Sequence, residues 1–208
     1  ITTMNKEIRN IDGIEFRAIE EDGKKFIEGY ALKFGLESKD LGGFREVIDK
    51  GSLDEADLSD VVALFNHNNN YVLARKNADV NTLELTITDE GLAYRFEVDE
   101  EVSYVKDLYL NIRKGNISKS SFAFYLPSDG SGEKWEKRDN QYFRYITKFS
   151  KISDVSPVTN PAYDNTTSMI RSFEDVKQEL DKPTEVEPIS VIKSTSDEFT
   201  YKYHLLNK

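Results

Sequence analysis

Residues 82–98 read Thr82-Leu83-Glu84-Leu85-Thr86-Ile87-Thr88, then Asp89-Glu90-Gly91, then Leu92-Ala93-Tyr94-Arg95-Phe96-Glu97-Val98. Leu83, Leu85 and Ile87 alternate with polar residues. Leu92, Tyr94, Phe96 and Val98 alternate again beyond the Asp-Glu-Gly stretch. A period of two belongs to a half-buried strand, and a Gly-containing polar triplet between two such runs is a turn signal. The stretch predicts a β-hairpin and sets the chain as mainly β.

The same logic extends outward. Residues 25–34 alternate in part, with Phe26, Tyr30, Leu32 and Phe34 apolar, and Gly29 points to a bulge or a close backbone approach. Residues 61–65 are an apolar run. After the hairpin, Val105, Leu108, Tyr109 and Ile112 fall on one helical face. Ser103 is placed to cap that helix, Arg113 and Lys114 suit its negative end, and Gly115 suits a left-handed cap. A shorter helix is expected near Ser52 and another over 172–180. Residues 120–126 and 142–152 read as strands. The intervening 127–140, rich in Gly, Ser, Asp and Lys, reads as a mobile surface loop. The fold class is therefore α+β, mainly β with a few helices. A domain is expected over 1–172, with a Pro-, Glu-, Ser- and Lys-rich tail over 173–208. The aromatic and apolar end of that tail, 199–206, suits docking.

Composition removes several function classes. The 208 residues suffice for one sizeable domain plus a tail. The formal charge of −10 repels phosphate backbones, and the basic residues are scattered, so no nucleic-acid partner is expected. No apolar run approaches the roughly 20 residues a bilayer requires, so no membrane span is expected. Residues 1–6 lack the apolar core of a signal peptide, and Met4 is read as the natural start. With no cysteine there is no disulfide, thiolate chemistry or cysteine zinc site. With two histidines, His67 and His204, no multi-histidine metal site can form, and no cofactor or metal is expected.

Three segments carry candidate chemistry. In Val61-Val62-Ala63-Leu64-Phe65-Asn66-His67-Asn68 an apolar strand runs into a polar cluster centred on a histidine. A strand end holds a base rigidly; a surface histidine in an Asn-rich turn would look the same. In Gly115-Asn116-Ile117-Ser118-Lys119-Ser120-Ser121-Phe122-Ala123-Phe124 a helix end leads into a strand. Alternation puts Ser121 and Ala123 on one face and the two phenylalanines on the other; an ordinary amphipathic strand reads alike. In Ile152-Ser153-Asp154-Val155-Ser156-Pro157-Val158-Thr159-Asn160-Pro161-Ala162-Tyr163, two prolines pin the backbone after a strand. There Asp154 either orients an imidazole or is simply solvated.

Together these segments resemble the prohead maturation proteases of tailed bacteriophages, which are related to the herpesvirus assemblins. Leu64-Phe65-Asn66-His67-Asn68, followed by Val72-Leu73-Ala74-Arg75, is similar to the family's histidine motif, with Asn68 and Ala74 departing from the usual Asp and Gly. Gly115 to Phe124 resembles the segment in which the serine before the first phenylalanine is the nucleophile. That serine is Ser121, and Ala123 replaces the usual glycine. Ile152 to Tyr163 resembles the family's Asp/Glu-Val-Ser segment. The likeness spans roughly residues 7–172 and leaves the tail unmatched.

The resemblance implies a closed β-barrel of the assemblin type surrounded by helices. It implies His67 as base, Ser121 as nucleophile and Asp154 as third member, with Asp164 its rival. His204, in the tail, is the weaker histidine. It implies a serine endopeptidase acting in the bacterial host cytoplasm, inside the prohead. The partners would be the scaffolding protein or the scaffold-like region of the major capsid protein. Self-cleavage in the tail and a homodimer are also implied. A catalytically inactive capsid-assembly component and a β-barrel ligand-binding module are the competing readings.

Overall fold

The computed structural model describes residues 5–11, 16–159 and 167–182. In chain order these form β1 (Glu7–Ile11), β2 (Phe16–Glu21), β3 (Lys24–Lys33), β4 (Phe44–Ile48), β5 (Val61–Phe65), β6 (Asn68–Lys76), β7 (Glu84–Ile87) and β8 (Gly91–Glu97). Then come α1 (Ser103–Arg113), β9 (Lys119–Tyr125), β10 (Glu133–Arg138), β11 (Gln141–Ile146), β12 (Lys151–Val158) and α2 (Thr167–Leu180). The protein is mostly β with two helices among the described residues, as the alternation predicts.

The strands pair into three sheets. One has the order β1-β9-β12-β5-β6, the second β2-β3-β8-β7 and the third β10-β11-β4. The expected hairpin is β7–β8, antiparallel, with Ile87 opposite Leu92. Its glycine is obligatory: a Cβ on Gly91 would lie 2.0 Å from the carbonyl oxygen of Leu32 on the neighbouring strand. The ladders divide into three sheets, and none among the described residues joins them into a ring. All three nevertheless line one apolar core. Ile27, Leu32, Tyr94 and Phe96 come from the second sheet, Val61, Phe122, Phe124 and Val155 from the first, and Ile48 and Ile146 from the third. Helix α1 adds Val105, Leu108, Tyr109 and Ile112, the face its spacing predicts.

Several expectations need correction. Ser103 is the first helical residue, and Val102 stands at the cap without a side-chain hydrogen bond. Gly115 does take the left-handed conformation, at φ 76°. Around Ser52 there are successive turns (Ser52 N–H to Asp49 O, Asp54 N–H to Gly51 O, Ala56 N–H to Leu53 O) instead of a helix. The bulge lies two residues beyond Gly29, at Ala31, as a register shift between Tyr30 and Leu32. Within the expected loop 127–140, β10 pairs with β11 from Glu133↔Ile146 to Arg138↔Gln141. Its sequence carries a single apolar side chain, Trp135, which stacks on Phe173 at 5.7 Å and meets Phe44 edge-on at 4.8 Å. Tertiary packing and not periodicity makes that strand. Residues 142–152 divide between β11 and β12.

Helix α2 runs across position 172. Phe173 is buried against Phe44 and Tyr142, and the Tyr142 hydroxyl donates to Asp181 at 2.6 Å.

A buried ionic cluster ties β1 down. Arg9 donates to Glu46 at 2.7 Å and to Glu7 at 2.6 Å. Arg144 of β11 donates to Glu7 at 2.7 Å, to Glu46 at 3.0 Å and to Glu133 at 2.5 Å. Burial pushes the Glu7 carboxyl up, but the bonds and charges of Arg144 and Arg9 outweigh it and hold the group at about 2. Two arginines against three carboxylates, nearly sealed from water, are stable only as a complete set.

Candidate active site

His67 stands at the tip of the β5–β6 hairpin. Phe65 and Asn68 face each other across the ladder, so Asn66 and His67 form the whole connection. Both have positive φ, 54° and 56°. Two left-handed residues are the signature of the type I′ turn, whose twist matches that of the flanking strands. Asn and His are among the few non-glycine side chains that tolerate this region. The tip is stapled to the end of β12: Asn66 N–H donates to Pro157 O at 3.0 Å, and Thr159 N–H donates to Asn66 Oδ1 at 2.9 Å.

Ser121 lies in the middle of β9. Phe122 and Phe124 point into the core, with ring centroids 5.2 Å apart and Phe149 at 6.0 and 5.0 Å from them. Burying each such ring stabilises by about 1.5–3 kcal/mol, which fixes the strand and hence the opposite face that carries Ser121.

Asp154 reaches that face through a β-bulge. Strict alternation on β12 would put Ile152 and Asp154 on one side. The pairing with β9 instead jumps from Ile152↔Phe124 to Asp154↔Ala123, leaving Ser153 as the extra residue. Ile152 therefore stays in the core while Asp154 joins Ser156 on the face of Ser121. A bulge re-aims a side chain in just this way.

The three elements bring His67, Ser121 and Asp154 together. His67 Nδ1 is 2.5 Å from Asp154 Oδ1, and His67 Nε2 is 2.6 Å from Ser121 Oγ. Burial of Asp154 raises its pKa, but the bond and charge of His67, with those of Lys6, outweigh burial and hold it below the usual carboxylate range. An ionised carboxylate only accepts, so Nδ1 carries the proton and donates to Asp154. In the neutral imidazole Nε2 is then the acceptor for the Ser121 hydroxyl. Side-chain exposure is 12% for His67 and 1% for Asp154, while Ser121 is fully buried.

Three residues without a sequence-level role join them. Ser156, opposite Ser121 on β12, donates to Asp154 Oδ1 at 3.1 Å and lies 3.3 Å from His67 Nδ1. Lys6 pairs with Asp154 Oδ2 at 2.8 Å. The carbonyl oxygen of Arg9 accepts from Ser121 Oγ at 2.9 Å. Ser156 sits in the quoted Asp-Val-Ser run, where its proximity to Asp154 was visible. Lys6 and Arg9 lie far away in sequence and give no such signal. Asp164 and His204 fall outside the described residues. Among the described residues no group of three His, Asp or Glu could hold a metal ion.

Known proteins resemble this chain in sequence and in structure. The family model of the caudovirus prohead serine proteases matches residues 12–179. The solved structure of the capsid assembly protease gp21 of bacteriophage T4 is similar at a TM-score of 0.44 with 16% identity, over 76% of this chain and 98% of that one. No curated protein matches the sequence.

Proposed function

The chain belongs to the caudovirus prohead serine proteases, and on that premise we propose that Ser121 is its nucleophile, His67 its base and Asp154 the group that orients the base. The observation that carries this reading is the pair of contacts to one imidazole: Ser121 Oγ at Nε2 and Asp154 Oδ1 at Nδ1, 2.6 and 2.5 Å. A serine hydroxyl is a weak nucleophile at neutral pH, and a base within hydrogen-bond reach activates it.

Ser121 Oγ attacks the scissile carbonyl carbon while its proton moves to His67 Nε2. The C–O bond forms and the carbonyl π electrons move to oxygen. The tetrahedral adduct collapses as Nε2–H is donated to the departing amine nitrogen, which breaks the C–N bond and leaves an acyl-serine. Water then attacks that ester, giving its proton to Nε2, and Ser121 leaves as the hydroxyl by taking that proton back. Asp154 keeps the imidazole in the productive tautomer and stabilises the imidazolium at each stage. Ser156 holds the carboxylate by a second bond.

The substrates we assign are the phage scaffolding protein or the scaffold-like region of the major capsid protein, cut inside the prohead in the bacterial host, and the enzyme's own tail. The protease unit is the expected 1–172. Helix α2, docked through Phe173, extends its packing before the tail proper. A shared core beneath three sheets supports a barrel of the assemblin type, and a homodimer remains part of the reading.

Two measurements test it. Co-expression with the major capsid protein of the same phage should yield a shortened capsid band with the wild type and none with Ser121→Ala. A fluorophosphonate should label the purified protein at Ser121 alone. A shortened band that persists in Ser121→Ala refutes the assignment.

A further inference from the structure

Resting on the assignment of His67 as base and Asp154 as its orienting group, we infer that Ser156 is a positioning residue of the site, whose hydroxyl acts through Asp154 to hold the imidazole in the tautomer that can accept the Ser121 proton.

Strand β12 brings this hydroxyl in by the same device that brings the carboxylate. The bulge at Ser153 sets the register beyond it, so Asp154 and Ser156 project from one face and Ser156 stands opposite Ser121. The next residue is Pro157, and a residue before proline is held to extended backbone. The carbonyl of Pro157 accepts from Asn66 N–H at 3.0 Å, within the turn that carries His67. Ser156 is therefore placed from both sides, by the bulge before it and by the proline bonded to the His67 turn after it. Ser153 is no substitute. Its hydroxyl donates to the Ala123 carbonyl at 3.2 Å and stands 3.5 Å from Asp154 Oδ2.

Ser156 is fully buried, so its one proton cannot go to bulk water. It goes to Asp154 Oδ1 at 3.1 Å, the same oxygen that accepts from His67 Nδ1. Lys6 takes the other oxygen, Oδ2, at 2.8 Å. The carboxylate is thus gripped at both oxygens, and the Ser156 bond keeps Oδ1 turned toward the ring. A hydrogen bond to a charged acceptor is among the stronger ones. The lone pairs of the same hydroxyl lie 3.3 Å from Nδ1 and accept a share of Nδ1–H. These contacts are satisfied together only when Nδ1 carries the proton. With the proton on Nε2 instead, Nδ1 and Oδ1 would be two acceptors face to face, and Nε2 could take nothing from Ser121.

The test is the rate at which a fluorophosphonate labels Ser121 in the full chain. Ser156→Ala and Ser156→Cys should both keep the far-UV circular dichroism of the wild type and label about ten-fold more slowly, equivalent to about 1.4 kcal/mol at the transition state. Cysteine nearly keeps the volume and loses the strong donor, so it separates the hydrogen bond from packing. In an Asp154→Asn background the carboxylate is gone, and adding Ser156→Ala should change the remaining rate by less than about two-fold. A serine that only fills space would cost the same in both backgrounds. A wild-type rate in Ser156→Ala overturns the inference. So does a slow Ser156→Ala beside a Ser156→Cys at the wild-type rate, and so does an undiminished cost in the Asp154→Asn background. If Ser156→Ala does not fold, Ser156→Cys decides alone, and a wild-type rate overturns it. Wild-type rates with label that vanishes in Ser121→Ala sink the role of Ser156 and leave the catalytic assignment standing. Label that survives Ser121→Ala sinks both.

Discussion

Replacing Glu7 by Gln removes one negative charge from the buried cluster while keeping its volume. The two arginines that it bridges, Arg9 and Arg144, are 7% and 5% exposed and cannot turn to water. The carboxyl falls from its ordinary 4.5 to about 2 in the fold. At 1.36 kcal/mol per pH unit, that gap of 2.5 corresponds to about 3 kcal/mol favouring the folded state. The sign follows from the depressed value: the contribution is complete above the unfolded pKa of 4.5 and is lost as pH falls through about 2. Urea unfolding of wild type and Glu7→Gln, measured in parallel from about pH 7 down to about pH 3, isolates this one group because the other carboxylates are shared. The stability difference should be about 3 kcal/mol near neutrality and shrink steadily below about pH 4.5. A difference below about 0.5 kcal/mol at neutral pH, or one that does not change on acidification, would show that the cluster does not bear on the strand as described.

Asp154→Asn should keep the far-UV circular dichroism of the wild type and lower kcat by about 10³- to 10⁴-fold, because the neutral amide no longer fixes the tautomer; a loss under about ten-fold would remove Asp154 from the mechanism. Asn66→Ala loses the bond from Thr159 and a side chain suited to positive φ, at a cost of about 1–2 kcal/mol in denaturant. Asn66→Gly keeps the backbone and its bond to Pro157 but loses the bond from Thr159, so a Gly variant as active as wild type would show that the side-chain bond does not position His67. Phe173→Ala empties the pocket between Phe44, Trp135 and Tyr142 and should cost about 3 kcal/mol; thermal unfolding reads it, and a cost under about 1 kcal/mol would mean α2 is not anchored there.

The elements legible in the sequence are those whose apolar residues face a single core. The β7–β8 hairpin and α1 carry their period openly, and so do the inward phenylalanines of β9. Strand β10 was hidden because its one apolar residue, Trp135, is recruited by Phe44 and Phe173 from distant parts of the chain. On β12 the bulge at Ser153 breaks the period, so alternation alone would have sent Asp154 into the core beside Ile152. His67, Ser121 and Asp154 stand out through the order of their motifs and not through periodicity. The pairing of β1 with β9 beside Ser121 could not be seen at all. Its partners Glu46 and Arg144 lie 37 and 137 residues away from the groups they hold, and no local pattern records such closure.

The tightness of the turn between β5 and β6 has a mechanical consequence. With two residues joining paired strands and Asn66 bonded twice to the end of β12, the backbone beneath the imidazole is mounted like a fixed post. Lengthening this turn by even one residue would turn the post into a hinge.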